Sequence, residues 1–292
     1  MIDFIHIGLP KTGSTYLQQV IFKQHPEINC LGSGYSINID QEFILLIRKI
    51  VNGHSFLHES REIYNRLATL LNNNKRCQNK TLNGLSAEGL SQTIYDAKMI
   101  THVACMLHHI APSAKIVIFV RNQFDMIDSF YRQYIVEGGT KKINEFLFSP
   151  IQWFSLDYLN CNIDPLDVHG INRFKYYGIV RTYIDLFGKN NVHICMQEKL
   201  KSEREKTLRD LYDFLEINYF NIEHKENVNS KKSFYQYELL RFINKFFCSD
   251  AHRESNYLMM KAIRYLSYFI NFSQFLSYDY LGKNTLYDYM II

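Results

Sequence analysis

Short unbroken apolar runs alternate along this chain with longer stretches whose apolar residues recur every three or four positions. Phe4–Ile7 is a four-residue run closed by Gly8-Leu9-Pro10, and residues 14–24 then carry Leu17, Val20 and Ile21 at helical spacing. That predicts strand, loop, helix. The same spacing predicts helices over residues 41–51 and 59–71, ended by the polar run Asn72-Asn73-Asn74-Lys75. A strand over residues 80–86 precedes a helix over 94–110, which Ala111-Pro112 stops. Lys115–Val120 contains five consecutive apolar residues rich in β-branching, the mark of a strand buried on both faces. Residues 124–136 and 179–187 read as helices, the second capped by Gly188, and Val192–Met196 reads as a further strand.

Strands separated by helices imply βαβ units, hence an α/β fold with a doubly wound parallel sheet flanked by helices, which the glycine loop after the first strand makes P-loop-like. After about residue 225 the pattern becomes helical and aromatic-rich, over Phe234–Phe247 and residues 256–275. No Gly/Pro/Ser-rich linker separates this part and no internal repeat is present. The expectation is one domain over residues 1–292, an α/β core at 1–225 carrying a helical C-terminal lobe at 226–292. The longest uncharged aromatic stretch, residues 265–278, contains Ser, Asn and Gln and falls short of the ~20 apolar residues a bilayer-spanning helix needs. An amphipathic helix is expected there, an ordinary helical core element that could instead offer a homodimer or peripheral membrane contact.

Composition narrows the class. With 47% hydrophobic and 21% charged residues in 292, the chain buries a real core and is not disordered. Thirteen Gly and five Pro exclude collagen-like and linker-rich chains. A net charge of +4 accommodates an anionic ligand, but the basic residues are too few and too dispersed for a nucleic-acid partner. The six cysteines, at 30, 77, 105, 161, 195 and 248, form no C-x-x-C pair and read as free thiols in a reducing compartment. The chain opens without a basic segment followed by an apolar one, so a cytoplasmic location is expected.

The chemistry starts at the first loop. Gly8-Leu9-Pro10-Lys11-Thr12-Gly13-Ser14-Thr15 has the G-x-x-x-x-G spacing of a phosphate-binding loop, whose backbone N–H groups and following helix N-terminus cradle an anion. In nucleoside triphosphatases the second glycine is followed by a lysine that reaches the β/γ-phosphates. Here that position is Ser14, and the lysine lies three residues upstream at Lys11. The strand Lys115–Val120 runs into Arg121-Asn122, where such an enzyme would place a magnesium-binding acid. Both departures disfavour a P-loop kinase. Ser129, two turns into the next helix, and Arg121 together suit a second, separate phosphate.

Pro10-Lys11-Thr12-Gly13-Ser14-Thr15-Tyr16-Leu17 and Val120-Arg121-Asn122-x-x-Asp125-x-x-x-Ser129-x-Tyr131 together resemble the two signatures of sulfotransferases that use 3′-phosphoadenosine 5′-phosphosulfate (PAPS). The resemblance extends to residues 183–200, through Phe187-Gly188 and Met196-Gln197-Glu198-Lys199-Leu200; Gln123 departs from it, standing where the family usually has Pro. It implies that Lys11, Thr12, Gly13, Ser14 and Thr15 hold the 5′-phosphosulfate, that Arg121 and Ser129 hold the 3′-phosphate, and that no metal is needed. It implies also that Lys11 stabilises charge at the bridging oxygen of the donor. Lys231 or Lys232, in Asn229-Ser230-Lys231-Lys232, falls where related enzymes close a loop over the nucleotide.

The acceptor hydroxyl needs a base. Glu88, in Leu85-Ser86-Ala87-Glu88-Gly89-Leu90, follows a strand and so falls on the carboxyl edge of the sheet with Lys11 and Arg121. The bland alternative is an exposed loop carboxylate or a charge at a helix start. Several glycan-modifying members of the family use Glu as base, which implies a saccharide or glycolipid acceptor, whereas many acting on small phenols and alcohols use His. His102, His108 and His109 are rivals, although their helical context favours packing roles. Trp153, Phe154, Tyr176 and Tyr177 either stack on adenine or a sugar ring or belong to the core. A catalytically silent nucleotide-binding scaffold of the same fold is the remaining alternative.

Overall fold

Every side chain of β1 (Phe4–Ile7) is buried, because this strand lies in the middle of a five-stranded parallel sheet. The sheet order is β2-β3-β1-β4-β5, with β2 at Ile28–Leu31, β3 at Leu82–Ala87, β4 at Lys115–Val120 and β5 at Val192–Met196. β3 and β4 flank β1, in registers that place His6 opposite Ser86 and Val117. Since the strands are parallel, the residues leaving β1, β3 and β4 emerge on one edge. The computed structural model describes residues 1–32, 37–51, 59–73, 82–91, 97–136, 138–148, 174, 176–222 and 234–247.

Period-two alternation sends successive β1 side chains to opposite faces. Ile5 and Ile7 join a core made with α2 (Ile37–Val51), α3 (Ser60–Asn73), α4 (Ala97–Ile110) and α7 (Tyr176–Phe187). Phe4 joins Val117 and Phe119 on the other face, under α9 (Arg204–Leu215) and the helical segment after the first loop. Helices cover both faces, as expected for a doubly wound sheet. The segment after the loop is not one α-helix: a short α1 (Ser14–Tyr16) runs directly into a π-helical stretch over Leu17–Phe22.

β2 and α9 are absent from the sequence reading. β2 is Ile-Asn-Cys-Leu, and its buried Asn29 interrupts the apolar run. The amide nitrogen of Asn29 donates to Leu71 O and Asn83 Oδ1 at 2.9 Å each, which removes the cost of burying it. Gly188 ends α7 as expected, with φ 87° and its N–H donated to Ile184 O at 2.9 Å. Cys30, Cys105 and Cys195 are free thiols; Cys77, Cys161 and Cys248 lie outside the described residues.

The chain forms two compact units, Met1–Asn122 with Asn172–Lys225, and Gln123–Ile171 with Glu226–Ile292. The first holds the sheet. In the second, α5 (Gln123–Val136) packs on α10 (Phe234–Phe247), and the buried Asn244 amide donates to Ile135 O at 2.8 Å and Gly139 O at 3.0 Å. Tyr131, Tyr134 and the Phe146 ring of α6 (Ile143–Phe148) cluster beside them. The helix expected over residues 256–275, the stretch 265–278, and Trp153 and Phe154 lie outside the described residues. Among those described, no helix is long and apolar enough to cross a membrane.

Candidate active site

The loop leaving β1 contains two left-handed residues, Lys11 at φ 64° and Gly13 at φ 86°. Gly13 adopts this conformation freely, whereas Lys11 needs its surroundings to hold it there. Two side chains tie the loop from within: Thr12 Oγ1 donates to Leu9 O at 2.6 Å and Ser14 Oγ donates to the same oxygen at 3.1 Å. The third tie comes from outside, where Arg121 Nη1 donates to Lys11 O at 3.1 Å. With Thr12 and Ser14 buried and turned inward, the parts of the loop left to meet an anion are its backbone N–H groups, the start of the helical segment and the Lys11 ammonium.

Glu88 emerges at the end of β3, next to that loop. Gly8 N donates to Ala87 O at 3.3 Å, and a Cβ on Gly8 would stand 3.0 Å from Glu88 Cα. A side chain at position 8 would therefore press on the backbone of Glu88. Glu88 opens a 3₁₀ turn, Glu88–Ser91, closed by Ser91 Oγ donating to Glu88 O at 2.9 Å. Glu88 is exposed, yet the protein packed around its carboxyl raises the pKa above the ordinary carboxylate value. The Lys11 ammonium opposes that rise, so the two groups act on each other across the loop.

Around Arg121 lie two further groups. Burial pushes the Tyr176 phenol up to about 12, against a hydrogen bond from the Arg121 backbone. Glu198 Oε1, on α8 (Gln197–Ser202), accepts from Asn122 N at 2.9 Å, while its Oε2 is buried with no hydrogen-bond partner. The neighbouring Gln197 amide covers Gly13, where an added Cβ would stand 3.2 Å from Gln197 Nε2.

Lys11, Thr12, Gly13, Ser14, Thr15, Glu88 and Arg121 thus share one edge of the first unit. Ser129 is half-buried on α5 of the second unit, and Lys231 and Lys232 lie outside the described residues. Of the aromatic candidates, Tyr176 stands beside Arg121 and Tyr177 is 78% exposed. On α4, His108 packs edge-on against Phe187 at 5.1 Å, His109 Nδ1 donates to Cys105 O at 2.9 Å, and His102 Nε2 is buried with no hydrogen-bond partner. Gln197 and Glu198 carry no role in the sequence reading, although the run from Met196 to Leu200 marks their position. Among the described residues, no group of three or more His, Cys, Asp or Glu could hold a metal ion.

The family model described as a sulfotransferase domain matches residues 2–256. No curated protein matches the chain. Among solved structures, a sulfotransferase from Alicyclobacillus acidocaldarius superposes with a TM-score of 0.54 at 18% identity, covering 90% of this chain and 99% of that one. The sulfotransferase domain from the curacin biosynthetic pathway gives 0.44 at 14% identity, covering 75% and 76%. The sulfotransferase domain from the Synechococcus PCC 7002 olefin synthase gives 0.42 at 16% identity, covering 91% and 94%. The first of the three shares the α/β fold with this chain.

Proposed function

The chain belongs to the sulfotransferase domain family, and on that premise we propose that it moves a sulfonate group from PAPS to a hydroxyl of a saccharide or glycolipid. The observation that carries this reading is that Lys11, in the phosphate loop after β1, acts electrostatically on Glu88, at the end of the adjacent β3, which brings a cation and a base to one edge of the sheet.

The donor supplies an activated sulfonate on a phosphate leaving group. Backbone N–H groups of residues 11–15 hold its 5′-end and Arg121 meets the 3′-phosphate, a role the family resemblance also implies for Ser129 and Lys231. As the acceptor oxygen bonds to sulfur and the bond from sulfur to the bridging oxygen breaks, Lys11 stabilises the negative charge arriving on that oxygen. This charge is larger in the transition state than in the ground state, so the interaction accelerates the step rather than merely tightening binding. Glu88 takes the acceptor proton, and adenosine 3′,5′-bisphosphate leaves. A pKa raised by burial makes the Glu88 carboxylate a stronger base than an ordinary surface carboxylate. The glutamate in this place, rather than a histidine, supports the saccharide or glycolipid acceptor.

The test is a panel of saccharides, glycolipids, phenols and simple alcohols incubated with labelled PAPS. Transfer to a member of the first two classes is expected, with tight binding of adenosine 3′,5′-bisphosphate. Transfer confined to phenols or alcohols would overturn the acceptor class. Tight nucleotide binding without any transfer would overturn the enzymatic reading.

A further inference from the structure

Beneath the loop lies a buried polar chain that the reaction as described does not use. Gln18, 4% exposed and in the π-helical stretch after the loop, donates from Nε2 to Ser86 O at 3.1 Å and to Ser86 Oγ at 3.0 Å. Ser86 Oγ and His6 Nδ1 are 2.7 Å apart. An amide nitrogen can only donate, so the Ser86 hydroxyl oxygen accepts from Gln18 and its own proton is available to His6 Nδ1. That makes Nδ1 the acceptor and puts the imidazole proton on Nε2, which is buried with no hydrogen-bond partner among aromatic rings. The opposite tautomer would leave both Nε2 and the hydroxyl proton unsatisfied. The chain therefore has one direction, from Gln18 through Ser86 to His6.

Ser86 and Ala87 are the last two residues before Glu88, and both of their carbonyls are held by the first loop and its helix. Gln18 takes Ser86 O and Gly8 N takes Ala87 O. Gln18 is one turn after Ser14, so the element that shapes the loop around Lys11 also grips the strand that delivers Glu88. Widened π turns recur where a helix must present a side chain out of α register. Resting on the reading of Glu88 as base and Lys11 as cation, we infer that Gln18, through Ser86 and backed by His6, is a positioning residue that sets the Glu88 carboxylate against the Lys11 ammonium.

Gln18→Met keeps the length of the side chain and removes its donor; Ser86→Ala removes one oxygen. The direct readout is the titration of the Glu88 carboxyl by carbon-13 NMR, which needs no turnover. Lys11 is the charged side chain that lowers its pKa. Loosening Glu88 alters both its burial and its exposure to the Lys11 charge, so the midpoint is expected to shift in both variants, and an unchanged midpoint overturns the inference. Where transfer is measurable, kcat is expected to fall by about ten- to a hundredfold, the scale of a misplaced reacting group, with affinity for adenosine 3′,5′-bisphosphate held within about twofold. Equal losses in affinity and kcat would mark a structural role and overturn it, as would failure of both variants to fold. Absence of transfer by the wild type would count against the sulfotransfer reading, and the NMR titration would still decide the positioning.

Discussion

Arg121 Nη1 donates to the carbonyl oxygen of Lys11 at 3.1 Å. The residue whose carbonyl it holds is non-glycine and left-handed, so the end of β4 steadies a conformation that the loop sequence alone disfavours. In the proposed complex the same guanidinium faces the 3′-phosphate. Replacing Arg121 with Ala removes both interactions. A charge-assisted hydrogen bond contributes about 1.5–3 kcal/mol, so adenosine 3′,5′-bisphosphate affinity is expected to fall roughly ten- to a hundredfold by calorimetry. Affinity within twofold of wild type would remove Arg121 from the site.

Glu88→Gln separates catalysis from stability. Loss of the base is expected to lower kcat by about 10²–10⁴. The folded-state pKa of Glu88 is raised, so its contribution to stability is fully present below the unfolded value and is lost as pH rises through the folded one. Above the folded-state value the ionised carboxylate therefore costs stability that a neutral amide does not. The melting temperature of Glu88→Gln is expected to exceed that of the wild type on the alkaline side of the Glu88 titration, with the gap closing in acid. A gap that widens in acid would contradict the sign of the shift.

His6 works in the opposite sense. Burial lowers its pKa from 6.5 to about 3, so the folded protein keeps it neutral while the unfolded chain takes up a proton as pH falls below 6.5. Its contribution to stability is present above 6.5 and is lost toward 3, by up to about 1.4 kcal/mol per pH unit. Urea midpoints should drop between pH 7 and about pH 5 in the wild type, and drop less in His6→Gln. Parallel curves for the two proteins would show that His6 is not the group responsible.

Gly8→Ala tests the shared platform of loop and strand. The new methyl would meet Glu88 Cα at 3.0 Å and Glu88 N at 3.1 Å, both backbone atoms, so β3 or the loop must shift. Overpacking of this kind costs about 1–3 kcal/mol. Chemical denaturation should show that loss together with a lower kcat. Full stability and full activity would mean that the two elements are not in contact as described.

Legibility in the sequence followed burial. β4 stands out as an unbroken apolar run because both of its faces are covered, and β1 stands out because a glycine turn ends its run at once. β2 was hidden by Asn29, a polar residue tolerated only because Leu71 and Asn83, far along the chain, satisfy its amide. Local periodicity carries no trace of such partners. The same limit applies at the site: Lys11, Arg121 and Glu88 could be assigned to one edge because parallel strands end together, whereas the Gln18–Ser86–His6 chain joins residues 68 and 80 positions apart. Gln18 stands beside Leu17 in a segment whose spacing predicts an ordinary helix, and the π turn that places it has no propensity signature.

Lys11 decides the account, because it separates anion binding from charge stabilisation in the transition state. The measurement is the rate of labelled sulfonate transfer from PAPS by wild type and Lys11→Ala, with adenosine 3′,5′-bisphosphate binding measured on the same samples. Removing a group aimed at developing charge is expected to cost about 10²–10³ in kcat, while the backbone N–H groups of the loop and Arg121 keep the nucleotide bound. Undiminished transfer by Lys11→Ala would contradict the proposed mechanism.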